Sequence, residues 1–202
     1  AAWGGALRLR KQFVQKFDGS DFENDTRNTI TSGSRNIEIM DIANRDQGYI
    51  LTKYSNISST GQAGPNTTFV DADFVLFRLA DVYLMYAECA VRGASGATLG
   101  QAVEYVNMLR ARAASSPSTQ VLVNQSQLTL DFILDERARE LYWEGHRRQD
   151  LIRFNKFTSG AYNWAWKGNG INGIGLSPNL KVFPLPSASI SANPNLTQNP
   201  GY

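Results

Sequence analysis

The sequence predicts a mainly α fold: a tetratricopeptide-like helical scaffold over 73–202, with an irregular, partly extended subdomain over 1–72 packed on it. Three observations carry this. From Asp73 onward apolar residues recur at three and four positions, the helical period. Capping and stopping residues bound each of those periodic runs. Before Asp73 the chain is instead punctuated by Gly, Ser, Asn and Thr clusters, FDGSDFENDT, TSGSRN and SNISSTGQAGPNTT, which mark turns and loops.

In the first region Leu7–Phe17 reads as a short helix, and 37–43 and 48–54 alternate enough to be strands or an extended ribbon. The next helix is predicted over 74–92, with Leu76, Leu79, Ala80, Tyr83, Ala87, Ala90 and Val91 on its apolar face and Gly93 and Gly96 ending it. Thr98, three residues before Gln101, starts the following helix as a capping box. Its apolar face is Ala102, Val106, Leu109 and Ala113, and Ser115-Ser116-Pro117 closes it. Leu76, Leu79, Ala80 and Tyr83 fit the first helix of a tetratricopeptide hairpin, although the turn is longer than the standard repeat. A plain amphipathic helical hairpin fits these residues as well.

A third helix is predicted over 129–144, with Leu130, Ile133, Leu134, Arg137 and Leu141 inward and Asp135 paired to Arg139. Glu136, Glu140 and Glu144 share one stripe and would repel unless guanidiniums interleave. Arg137, Arg139, Arg147, Arg148 and Arg153 are available, so an Arg/Glu network tying this helix to its neighbours is expected. Gly145 breaks it, and 147–154 forms a short fourth helix. Beyond Phe157 the chain is loop-like, with one helical turn near SASISANPN, capped by Ser187 or Ser189 and stopped by Pro194.

The chain has 202 residues, 42% of them hydrophobic, and a formal charge of +2. Scattered basic residues argue against a nucleic-acid partner. No run approaches the ~18 apolar residues of a membrane span, and no signal peptide is evident. The start, AAWGGALRLR, reads as the interior of a longer chain or a processed product. The single cysteine, Cys89, cannot form an internal disulfide or a zinc site and reads as a buried hydrophobe. No metal or cofactor is expected. Asp21, Asp25, Asp41, Asn44 and Asp46 could offer oxygens to calcium but lack an EF-hand pattern, so turn and capping roles are expected. His146 lies near Glu140, Glu144 and Asp150, but these acids sit on one Arg-rich block rather than across a cleft as a glycosidase requires. No catalytic residue is assigned.

Several segments, in order, resemble the SusD/RagB family of outer-membrane nutrient-binding lipoproteins: RLADVYLMYAECA (78–90), ILDERARELYWEGHRRQDLIRFNKF (133–157), VFPLP (182–186) and NPNLTQNPGY (193–202). The segment AAWGGALRLRKQFVQKFD (1–18) is similar to a mid-chain family segment. Family members are longer, so the resemblance implies the C-terminal portion of one. It also implies non-catalytic binding of an oligo- or polysaccharide at the extracellular face of the outer membrane. The ligand would pass to a SusC-like TonB-dependent transporter, and the lipid anchor would lie outside this chain. A peptide-binding member of the family, or a tetratricopeptide-like scaffold that recruits proteins, are the alternatives. Sugar rings need flat aromatic faces beside polar groups. The ligand-binding candidates are therefore Trp3, Tyr49, Tyr54, Trp164 and Trp166. The two tryptophans of YNWAWKGNG also fit a structural role, and Trp143, Tyr83, Tyr86 and Tyr105, expected on helices, fit packing or interface roles.

Overall fold

The computed structural model describes residues 7–58, 60–66, 68–70 and 72–202. The chain divides into two compact units, one running to Arg147 and one covering Arg148–Tyr202.

The first unit opens with α1 (Lys11–Val14), which continues as a 3-10 turn over Gln15–Phe17. This is shorter than the helix expected over Leu7–Phe17. Phe13 and Phe17 are buried and meet edge to face at 5.9 Å, and Phe13 also lies 4.8 Å from the Tyr142 ring. Two short strands follow, β1 (Ile30–Thr31) and β2 (Ile50–Leu51), antiparallel with Ile30 opposite Leu51. The second lies within the expected 48–54 run. The run over 37–43, expected as a strand or an extended ribbon, forms no strand. Asp41 and Asn44 accept the N–H groups of Ala43 and Asp46 (2.8 and 2.9 Å), folding this stretch into local turns. Arg8 then donates to the carbonyls of Ile42, Asn44 and Gln47. Asp25 likewise accepts from the Arg27 N–H at 2.9 Å. Asp25, Asp41 and Asn44 therefore play turn roles, and among the described residues no group of three or more His, Cys, Asp or Glu could hold a metal ion.

α2 (Leu79–Val91) begins later than its apolar pattern suggests. Arg78 takes the extended N-cap position and sends its guanidinium to Glu140 and Glu144 (both 2.6 Å), which ends the preceding extended segment there. Leu76, Leu79 and Cys89, all expected to be buried, are exposed, whereas Ala80, Leu84, Ala87 and Ala90 are buried. Gly93, at φ 79°, supplies the left-handed turn after the helix, and the Ala94 N–H reaches the Cys89 carbonyl at 3.0 Å. α3 (Leu99–Ala113) starts at Thr98, whose hydroxyl accepts the Gln101 N–H at 3.2 Å. The capping box is only half made, because the Gln101 amide turns to Glu104. Ala102, Val106, Leu109 and Ala113 are all buried. α2 and α3 pack as an antiparallel hairpin, with Tyr83 stacked on Tyr105 at 4.3 Å and Tyr86 edge-on to Tyr105 at 5.1 Å.

α4 (Leu130–Leu141) is capped by Thr129, which accepts the Phe132 N–H at 3.1 Å. It stops before the expected Glu144. Tyr142 is extended and Trp143 adopts φ 62°, because the Tyr142 hydroxyl is drawn to the Arg27 carbonyl at 2.9 Å. The expected Asp135–Arg139 pair is absent as well: Asp135 pairs with Lys16, and Arg139 with Glu136.

α5 (Arg147–Arg153) spans the division between the units. In the second unit, Arg148 donates to the carbonyls of Leu180 and Lys181 and lies over the rings of Phe157 (4.9 Å) and Phe183 (4.1 Å). α6 (Ser187–Ala192) has Pro186 at its N-cap position with no side-chain cap, so neither Ser187 nor Ser189 serves as one. Proline fixes φ there and offers no side-chain acceptor of its own. The final residues fold back. Gln198 binds both the N–H and the carbonyl of Leu185, Asn199 donates to Phe183, and the Tyr202 hydroxyl donates to Val182. The VFPLP and NPNLTQNPGY motifs are thus two sides of one hydrogen-bonded clasp.

Candidate functional site

The chemistry of the first unit concentrates on the acidic stripe of α4. Glu136, Glu140 and Glu144 are buried, with guanidiniums interleaved as charge balance requires. Most of the cations come from other elements. Arg27 reaches Glu136 (2.8 Å) and Glu140 (3.1 Å). Arg78 reaches Glu140 and Glu144, Arg110 reaches Glu136, Arg112 reaches Glu140, and Lys53 pairs with Glu144. Of the five arginines expected to serve, only Arg139 joins the stripe, at 2.7 Å from Glu136. Arg137 pairs instead with Asp81 at 2.7 Å, and Arg147 donates to the Leu134 carbonyl.

The charges respond accordingly. Burial opposes ionisation of Glu136, but Arg27, Arg139 and Arg110 outweigh it and draw the carboxyl down to about 2. Glu140 and Glu144 are also held below the usual carboxylate range against burial, Glu140 chiefly by Arg27 and Arg78 and Glu144 by hydrogen bonds from Arg78 and Lys53. Burial lowers the Lys53 ammonium despite its bond to Glu144.

On one side of this network lies a cleft of about 340 Å³, lined by Tyr142 together with Arg27, Lys53, Arg78, Arg112, Arg139, Glu140 and Glu144. The cations outnumber the carboxylates. Arg112, whose side chain is 56% exposed, offers guanidinium N–H groups to solvent. The Lys53 ammonium lies 4.4 Å from the centre of the Tyr142 ring. Next to this edge the Tyr54 hydroxyl donates to the Trp143 carbonyl at 3.1 Å, and Tyr54 and Trp143 are each 41% exposed. Burial, then the Glu144 charge, raises the Tyr54 phenol, which stays a neutral donor near neutral pH. The result is a pair of exposed aromatic residues beside guanidinium and carboxylate groups, suited to the apolar face and the hydroxyls of a sugar.

The candidates from the sequence fare differently. Trp3 lies outside the described residues. Tyr49 is half-buried, and its carbonyl accepts from the Leu9 N–H at 2.8 Å. Tyr54 belongs to the aromatic pair just described. Trp143, expected on a helix as a packing residue, lies beyond the helix end in a left-handed conformation. The sequence signal for this was Gly145 two residues on. Trp164 and Trp166 belong to the second unit, where both are half-buried. There Lys167 ties the loop by donating to the carbonyls of Ser159 and Tyr162 (both 2.8 Å), and the Tyr162 and Trp164 rings lie 5.9 Å apart. Gly173, at φ 74°, brings its backbone so near the Trp164 carbonyl that a Cβ would lie 2.3 Å from the oxygen. His146 is half-buried in the short link before α5.

Comparison with known proteins places this fold. The chain is 36% identical over 173 residues to the starch-binding protein SusD of Bacteroides thetaiotaomicron, a match covering 86% of this chain and 29% of that protein. Among solved structures, a SusD superfamily protein from Parabacteroides distasonis superposes with a TM-score of 0.59 at 26% identity, covering 97% of this chain and 42% of that one. The surface glycan-binding protein A of Bacteroides uniformis gives 0.59 at 25% identity, covering 95% and 40%. The chain thus spans less than half the length of each of these relatives. The model of the SusD family matches residues 8–202, and the chain belongs to that family.

Proposed function

We propose that this chain is part of a non-catalytic cell-surface binder of oligo- or polysaccharide, acting at the extracellular face of the outer membrane with a SusC-like TonB-dependent transporter. The observation that carries this is the 36% identity, across 86% of the chain, with a protein named for starch binding. The geometry supports a binding role. A glycosidase acid must hold its proton near neutral pH, so its pKa is raised. Glu136, Glu140 and Glu144 are all shifted the other way by their guanidinium partners. The aromatic candidates Tyr54 and Trp143 remain exposed for capture without chemical change. Tyr49, Trp164 and Trp166 stay candidate contributors, as does Trp3.

Native affinity electrophoresis on a polysaccharide panel, with a peptide pool as competitor, tests the reading. Retardation on a glycan that peptides leave unchanged is expected. Failure on a broad panel, or retardation abolished by peptides, would replace it with peptide binding or protein recruitment.

A further inference from the structure

The cleft beside α4 carries more positive charge than its own carboxylates balance. Arg27, Lys53, Arg78, Arg112 and Arg139 line it, against Glu140 and Glu144. Their ion pairs bring in Asp25 and Glu136, and Glu136 also takes Arg110. Among the described residues, six cations thus share four carboxylates. A buried carboxylate requires a cation beside it, but this stripe has more than it requires. Glu140 alone meets Arg27, Arg78 and Arg112.

The excess is not evenly spread. Arg27 and Arg139 are buried, and their nitrogens are turned to Asp25, Glu136, Glu140 and the Lys16 carbonyl. Arg112 differs. Its side chain is 56% exposed, and only Nη2 is engaged, by the two Glu140 oxygens at 2.6 and 2.7 Å. Its Nε and Nη1 make no hydrogen bond among the described residues, so their N–H groups are open to a ligand. A guanidinium oriented by one carboxylate is ready to bind a second anion with its remaining donors. The volume of about 340 Å³ lies in the ~300–1,000 Å³ range of small-molecule sites and is far more than an inorganic ion fills. Tyr54 follows Lys53, and Trp143 lies between Tyr142 and Glu144, so the exposed aromatic pair adjoins the cleft. We propose that this cleft takes the acidic group, carboxylate or sulfate, of a charged glycan, with Arg112 as its contact. The inference rests on the glycan-binding reading and narrows its ligand class.

Native affinity electrophoresis on matched gels tests it: polygalacturonate against its methyl ester, and dextran sulfate against dextran. This chain is run beside Arg112→Gln and beside Arg45→Gln, which removes an exposed charge outside the cleft lining. Retention should be stronger on an acidic gel than on its neutral partner. Arg112→Gln should weaken that retention at least about tenfold, and Arg45→Gln by less than about twofold. Equal retention on charged and neutral partners, or equal loss in the two variants, would overturn the acidic subsite and leave glycan binding standing. Retention on no glycan, acidic or neutral, would remove the glycan reading itself. Displacement from the acidic gel by millimolar sodium sulfate at constant ionic strength would make the ligand a free anion and overturn the charged glycan. Where Arg112→Gln does not fold by circular dichroism, Arg112→Lys, which keeps the charge and loses the planar fork, takes its place. Retention of Arg112→Lys equal to the parent would then overturn the contact.

Discussion

Arg27 donates to Glu136 at 2.8 Å across 109 residues of sequence, fastening the irregular first segment to the buried face of α4. Glu136 is fully buried and answers to Arg110 and Arg139 as well. Its folded pKa of about 2 lies below the ordinary value of 4.5, so the ionised form stabilises the fold. That contribution, about 3 kcal/mol from the size of the shift, is complete above pH 4.5 and is lost as pH falls toward 2. Glu136→Gln should be less stable at pH 7 by about 3–5 kcal/mol, because it strands buried guanidiniums. Its melting temperature should also fall less steeply than that of the parent between pH 4.5 and 3. Thermal melts at both pH values check this, and parallel slopes would remove Glu136 from the acid response.

Tyr54 and Trp143 are held together by a side-chain-to-backbone bond, so the bond and the Trp143 ring can be removed separately. Tyr54→Phe loses the hydroxyl that donates to Trp143 but keeps the ring, and Trp143→Ala does the reverse. If the rings form a sugar platform, Trp143→Ala should weaken retention on the glycan gel at least about fivefold, given the ~1–3 kcal/mol typical of a stacking face. Tyr54→Phe should weaken it less. Both are 41% exposed, so stability should change by under about 1 kcal/mol. Equal retention by parent and Trp143→Ala would move the site elsewhere.

The helices were legible where one face alone is apolar. α3 and α4 begin at Thr98 and Thr129, and all four core positions expected of α3 are buried. α2 was harder, because its periodicity is satisfied on two faces: Leu84 is fully buried although Leu79 was expected inward. The Arg/Glu network was legible as a need for cations, since three glutamates on one stripe demand them. Its donors were not, because Arg27, Arg78, Arg110 and Arg112 lie far away in sequence and only tertiary packing selects them. The strand over 37–43 failed because Asp41 and Asn44 offered the backbone local turns, which a two-residue alternation cannot reveal. The aromatic pair was half legible. Tyr54 stood out beside a strand, but Trp143 was hidden by a helix that ends at Leu141.

Gly173 makes a sharp prediction within the second unit. Its positive φ disfavours any side chain, and an added Cβ would collide with the Trp164 carbonyl backbone. Gly173→Ala must shift the loop that carries Trp164 and Trp166, at a cost of about 1–3 kcal/mol. The tryptophan fluorescence maximum should move. Gly19→Ala, where φ is also positive but nothing lies within 4 Å, should leave it unchanged. A shift common to both substitutions would mean that general destabilisation rather than the Trp164 contact moves the fluorescence.

Leu84 and Val82 sit two residues apart on α2 and should respond in opposite ways. Leu84 is 0% exposed, so Leu84→Ala leaves a cavity beneath the α2–α3 hairpin and should cost about 2–5 kcal/mol. Val82 is 50% exposed, and in this chain alone Val82→Glu should change stability by no more than about 0.5 kcal/mol. Urea unfolding of both variants separates the two faces. A large Val82→Glu effect would show that Val82 is covered rather than exposed.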